Sequence, residues 1–558
     1  MPKIVNFLIV FLLYQSVTFS KINTNQDFNH KYLSSYFSGI FSLNKQNSEE
    51  SLKFLEKSKL IQDKHQNYLR NYLISLIINK KVDVALNKAK QQKNKNNFFF
   101  EKELLLSVES IKKKDFRDAR LHLNKLLESA ELNKAYNIIL FETLNNYINV
   151  FNAKDIKVYK NNKFGEIDNI NYAFMNCYLN NNKTEQLFTN YINSDSKNSR
   201  YIYFYIDHLI EKKKNQEALN ILKNINQLDS TLLLSQVRFW AMNSNYDKIN
   251  NLFSCKNEKD LIAEFFYLIS NLYSSQGYFI NSNFYLILAN YLNPDFYFNS
   301  TLLVENYLDD QKYNLAKKEL ENISNEDLIY EWFKIKKKAS IIQIQKNKKE
   351  ALDYIKKKFL KLKKPNNKIR FEMANILRNF EDYDEAINIY TKLIKSNNFN
   401  KNEYADLLYK RGTCYERKKN YLNADKDFLE SLNTFPNEPY VLNYLGYSWL
   451  ERSHKINQAM ELLKKAYNLR KDDPYITDSI GWAHFLLEDF ISAEKYLQKA
   501  VMLMPYDPIV NDHYGDVLWK LEKKIQARYF WSSVLNLENT DDEMKKSVKK
   551  KNRIWSIK

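Results

Sequence analysis

Residues 443–452 read NYLGYSWLER, residues 478–487 DSIGWAHFLL and residues 511–520 NDHYGDVLWK. Each stretch sets one glycine among large apolar side chains. Gly412, Gly446, Gly481 and Gly515 form a series spaced by 34 or 35 residues. An alanine follows each of them 12 or 13 residues later: Ala424, Ala459, Ala493 and Ala527. Four residues beyond stands a large apolar side chain, Phe428, Leu463, Leu497 or Trp531. Three further on comes a shorter one, Ser431, Ala466, Ala500 or Val534. Spacings of four and seven put all three residues on one helical face. Two helices approach closely only where one presents a small residue, so each period reads as an antiparallel helix pair.

Prolines punctuate the same series. Pro439, Pro474 and Pro508 each follow an acidic residue: Glu438, Asp473 and Asp507. Proline at the first helical position gives up no hydrogen bond, and an acidic residue before it can cap the exposed amides. Pro436 and Pro505 close two of the units.

Counted backwards, the alanine's place falls to Ser51, Ala85, Ala119, Ala153, Glu185, Ala218, Ile249, Ser282, Ala316, Ala351 and Ala386. Ser51 to Ala527 is 476 residues over 14 intervals, a mean of 34.0. The unit of Ser270, Tyr273, Ser282, Leu286, Ala289 and Pro294 matches clearly, whereas those around Ala153 and Glu185 match least. The expected fold is all-α, a solenoid of about 15 helix pairs between residues 28 and 538. Composition agrees. The 558 residues include 7 glycines and 8 prolines, each far below average usage of ~7% and ~5%. That scarcity excludes sandwiches, barrels and Gly-rich nucleotide-binding enzymes. Five of the glycines hold the small place of a repeat, counting Gly39, and Gly277 falls in a turn between paired helices.

The pattern resembles the tetratricopeptide repeat, whose period is about 34. The resemblance implies a superhelix whose groove is lined by the first helix of each pair. On this chain it points to Tyr440, Asn443, Tyr447 and Leu450, then Tyr475, Asp478, Trp482 and Phe485, then Ile509, Asp512, Asp516 and Trp519. Members that grip a C-terminal carboxylate resemble one another in having Lys and Asn there. Acids and aromatics here imply a basic or aromatic-rich protein segment instead. Against this stands the reading that Tyr447 and Trp482 only pack between repeats. The three opening stretches also look like the C-terminal repeats of exported proteobacterial tetratricopeptide proteins. Some of those are envelope lipoproteins that present substrates to a carboxyl-terminal processing protease. This chain departs from them in having no cysteine before Cys177 to carry the lipid.

At the N-terminus, Lys3 precedes an apolar run over residues 4–14, and Thr18 and Ser20 suit a cleavage site. Residues 1–20 are therefore expected to be a signal peptide, or an N-terminal anchor if uncleaved. Residues 21–400 read as degenerate repeats, 401–540 as well-matched repeats and 541–558 as a basic tail or capping helix. That tail mixes lysines with Met544, Val548, Ile554, Trp555 and Ile557, so a cap over the last repeat competes with a membrane-surface contact.

The net charge of +19 comes from 72 lysines and 13 arginines scattered end to end. Nucleic-acid readers cluster arginine among aromatics, so solvated helix faces are expected rather than a nucleic-acid site, with peripheral membrane attraction the other reading. Cys177, Cys255 and Cys414 form no CxxC, and neither a disulfide framework nor a zinc site is visible. Cys414 falls on an apolar stripe. His513 and Asp516 share a helical face, a spacing that suits a groove contact better than metal ligands. The expected function is that of an adaptor or scaffold without enzymatic activity, cofactor or metal, which binds protein or peptide partners in the periplasm. The alternative is a subunit of a surface-polymer or secretion machine, anchored in the inner membrane.

Overall fold

The computed structural model describes residues 30–553 apart from 63–64, 66, 92–98, 129–135, 162–163, 194–198, 325–326 and 397. The signal peptide or anchor expected at residues 1–20 lies outside the described residues, as do Ile554, Trp555 and Ile557 of the tail. Among the described residues there are 30 α-helices and no strand. They form fourteen antiparallel pairs, one unpaired long helix, Asn137–Ala153, and a terminal helix, Asp542–Arg553.

The repeat register follows the sequence closely. At thirteen of the fifteen expected places, from Ser51 to Ala527, the residue is the fourth of a second helix, small at every one but Ile249. All thirteen are at most 1% exposed. The two weakest units need correction. Ala153 is the exposed last residue of a first helix, and only the short turn Ile156–Val158 follows where a second helix was expected. In the next unit the register slips by one: Thr184 and Phe188 are buried, and Glu185 pairs with Lys214 at 2.7 Å.

The glycines act through the room they leave. A β-carbon on Gly39, Gly412 or Gly481 would lie 2.8 Å or less from Leu55, Phe428 or Leu497. The turns inside the pairs share one geometry. Lys419, Glu488 and Glu522 take φ near 60°, and the amide after each reaches back to a carbonyl five residues earlier. This left-handed helix end usually takes glycine, and among these turns Gly277 supplies it, with φ of 76°. Between Gly446 and Ala459 the spacing is one residue longer, and that turn holds two such residues, Ser453 and Lys455. Asp473 and Asp507 cap the helices that begin with Pro474 and Pro508, while Glu438 makes no side-chain cap.

The chain divides into two compact units. The first comprises Met1–Ile225 and Ser230–Ile341, the second Asn226–Asp229 and Ile342–Lys558. An ideal solenoid contacts only its neighbours; the first unit does not. Its helix Tyr68–Ile78 packs on Phe279–Leu292. Lys80 bonds Glu319, Lys112 sits 3.5 Å above the Tyr291 ring, and Tyr136 meets Tyr273 with ring centres 5.0 Å apart. The cause is local. Phe284, Tyr285, Leu286, Ile287 and Leu288 are all buried, so this helix is apolar all round and is covered on every side.

Cys177 and Cys255 form a disulfide, with Cα atoms 5.9 Å apart, which corrects the sequence reading. Cys255 lies in the loop after the five-residue helix Tyr246–Asn250, where a full second helix would otherwise run. His208 Nδ1 is 3.3 Å from the Cys177 sulfur. Burial pushes the His208 pKa down to about 4, so the imidazole is neutral. Cys414 is fully buried, as its apolar stripe requires.

Candidate functional site

In the second unit the first helices of four consecutive repeats are Lys401–Arg417, Pro439–Glu451, Pro474–Leu486 and Pro508–Lys520. Between them lies a cleft of about 480 Å³, lined by Tyr409, Tyr440, Tyr444, Tyr447, Tyr475 and Ile509 together with Glu416, Arg417, Asn443, Asp478 and His513. The repeat builds it. Tyr440, Tyr444 and Tyr447 stand on one face of a single helix. Tyr475 and Ile509 then take the place of Tyr440 in the next two repeats.

The outer row is open. Tyr440, Tyr475 and Ile509 are 40, 57 and 52% exposed. Tyr440 OH donates to Asp473 at 3.0 Å, which fixes one ring edge and leaves the face free. Deeper in, Tyr444 OH donates to Glu416 at 3.2 Å, and burial raises the pKa of Tyr444 and Tyr447 well above the usual phenol range. Asn443 Oδ1 is buried and finds no hydrogen-bond donor among the described residues.

At the next level Asp478 accepts from His513 Nδ1, at 3.0 Å from its nearer oxygen. Burial alone would lower the His513 pKa, but Asp478, with Asp512 and Asp516 behind it, holds it above its ordinary value. The ring stacks on Trp482 at 4.0 Å, and Trp482 stacks in turn on Phe485 at 4.6 Å. Trp482 Nε1 donates to Glu451 at 2.9 Å. Asp512 and Asp516 both bond Lys551 of the terminal helix, at 2.7–2.9 Å. That helix buries Val548 completely. Trp519 lies against Trp531 with ring centres 5.5 Å apart.

The groove residues read from the sequence thus divide three ways. Tyr440, Asn443, Tyr447, Tyr475 and Asp478 line the cleft. Trp482 and Phe485 build a stacked wall beside it, and Asp512, Asp516 and Trp519 meet the terminal helix or its neighbour. Tyr409, Tyr444, Glu416 and Arg417 were not singled out, whereas His513, expected as a groove contact, does line the cleft. Tyr409 lies 34 residues before Asn443, so carrying the groove one repeat upstream would have found it, whereas Tyr444 stands beside a groove place rather than on one. Chemically the cleft offers aromatic faces, one unpaired acceptor and a buried histidine–carboxylate pair, which suits holding an extended segment.

Comparison with known proteins agrees with the repeat reading. The tetratricopeptide repeat pattern matches residues 368–400, the helix pair Asn367–Asn379 and Tyr383–Lys395. A TPR repeat-containing protein of Pseudomonas aeruginosa is 32% identical over 114 residues, 20% of this chain. The match spans 19% of that relative's length. Among solved structures, a tetratricopeptide repeat protein from Parabacteroides merdae is similar over 45% of this chain and 97% of its own, at 16% identity and a TM-score of 0.38. MamA from Desulfovibrio magneticus is similar over 32% of this chain and 97% of its own, at 20% identity and a TM-score of 0.27. The repeat period and helix-pair packing are those of a tetratricopeptide-repeat solenoid, and residues 368–400 match that family's repeat.

Proposed function

We propose that the chain is a non-enzymatic scaffold that holds protein partners in the tyrosine cleft of its C-terminal repeats, acting as an adaptor in the bacterial cell envelope. The observation that carries this is the cleft itself. A row of exposed rings stands above Asn443 Oδ1, an acceptor suited to a backbone amide of a bound segment. Tyrosine gives large contact area at little cost in conformational entropy, and buried aromatic anchors dominate interface energetics. Glu416 and Asp473 beside the rings favour a segment carrying Lys or Arg, while Asp478 is paired with His513. Export is supported by the apolar run at residues 4–14 behind Lys3 and by the Cys177–Cys255 disulfide, a bond that persists in oxidising compartments. Presentation of substrates to a processing protease would be one use of such a cleft.

Affinity capture of the full chain from envelope extract tests the reading. Wild type should retain a defined protein that Tyr440→Ala/Tyr475→Ala loses, a drop of about 2 kcal/mol or roughly thirtyfold. Equal retention by both would overturn the cleft assignment. Fractionation decides the setting: periplasmic release supports the adaptor, and carbonate-resistant membrane retention supports an anchored machine subunit.

A further inference from the structure

The charge of +19 is unevenly compensated. Residues 356–364 read KKKFLKLKK and form the end of helix Lys348–Phe359 with the turn after it. Lys356 is bonded by Asp382 and, at 2.9 Å, by Glu385. Upstream, Lys346 and Lys348 have Glu350 and Glu381 within 2.6 and 3.5 Å. Lys357, Lys358, Lys361, Lys363 and Lys364 are exposed, and among the described residues none has a carboxylate at ion-pair distance. Leu360 stands in their midst, 83% exposed, while Leu362 is buried at 8% and anchors the turn.

Lysines in a last helical turn complement the helix dipole, which accounts for Lys357 and Lys358. It does not account for three more lysines beyond the helix, nor for a leucine held outward among them. Five ammonium groups without a carboxylate partner, around one protruding apolar side chain, match the surface of an anionic bilayer. There lysines are drawn to the headgroups within a Debye length, and an apolar side chain enters the acyl boundary. Ammonium groups need no fixed geometry on phosphate, unlike the arginine forks and stacked rings that read nucleic acids. We propose that residues 357–364 form a knob that docks the second unit on an anionic lipid surface.

The test is flotation of the full chain with phosphatidylcholine vesicles, with and without phosphatidylglycerol. All variants share the same N-terminal run, so the comparison is between variants. Wild type should bind the phosphatidylglycerol vesicles at least about tenfold better, and lose that preference at high salt. The combined change of Lys357, Lys358, Lys361, Lys363 and Lys364 to Gln should abolish the preference. Leu360→Ser should weaken binding by about threefold or more. Coincident melting curves would show that both variants stay folded. Equal binding by the lysine variant, or no preference in wild type, overturns the proposal. So does equally tight, lysine-dependent binding of soluble polyphosphate together with no effect of Leu360→Ser, which would make the knob a polyanion site.

Discussion

Gly515 and Trp531 lie so close that a β-carbon on the glycine would sit 2.5 Å from the indole Nε1. The same Nε1 donates to Asp516 at 3.1 Å, so the ring cannot swing aside without losing a hydrogen bond. Gly515→Ala should therefore destabilise the C-terminal repeats by ~1–3 kcal/mol. Gly515→Ala combined with Trp531→Leu should lose less than the two changes added, because the smaller aliphatic side chain removes the clash. Urea unfolding checks this; an unchanged midpoint for Gly515→Ala would contradict the packing.

The left-handed turns give the opposite sign. Glu488 and Glu522 hold φ of 61° and 60°, and the exposed ion pair of Glu522 with Lys524 offsets little of that strain. Glu488→Gly and Glu522→Gly should each stabilise by about 0.5–1 kcal/mol, since glycine carries no β-carbon penalty there. Thermal melts of single and double variants would show additive gains. A loss would mean the side chains do something that the turn geometry does not reveal.

How much of this was legible in advance depends on what each residue is asked to do. Ala493 and Gly481 are constrained by a neighbouring helix at a fixed spacing, so their burial follows from periodicity alone. Ala153 and Glu185 failed because alanine, threonine and glutamate all suit a helix, and the register there is set by Thr184 and Phe188 packing rather than by a spaced glycine. The disulfide was invisible because Cys177 and Cys255 are 78 residues apart and meet only through the stacking of intervening repeats. Groove chemistry was half legible. The resemblance to the tetratricopeptide repeat pointed to Tyr440, Tyr447 and Tyr475, but nothing local announces that Lys551 would bond Asp512 and Asp516, or that His513 would pair with Asp478.

That histidine predicts a pH dependence. Folding raises the His513 pKa, so the folded chain binds the proton more tightly than the unfolded one. The resulting stabilisation is complete below the unfolded value of about 6.5 and is lost as pH climbs through the higher folded value. Wild type should therefore lose stability from about pH 6.5 upward relative to His513→Gln. Melting both proteins across that range tests it. Parallel curves would show that the Asp478–His513 contact does not hold a proton.

The disulfide closes a loop of 78 residues in the first unit. Cys177→Ala should lower the stability of that unit by about 2–4 kcal/mol. Thiol titration of unfolded, unreduced protein should give the single thiol of Cys414, rising to all three cysteines after reduction. Three thiols before reduction would remove the bond from the account.

Site-specific photo-crosslinking in living cells tests the tyrosine cleft most directly. A photoreactive phenylalanine analogue would replace Tyr475, in the cleft and 57% exposed, or Tyr529, on a second helix and 70% exposed. If the cleft is the binding face, position 475 captures a discrete protein that unlabelled wild-type chain competes away, and position 529 captures none. Equal capture from both positions, or none from position 475 while position 529 succeeds, would contradict it.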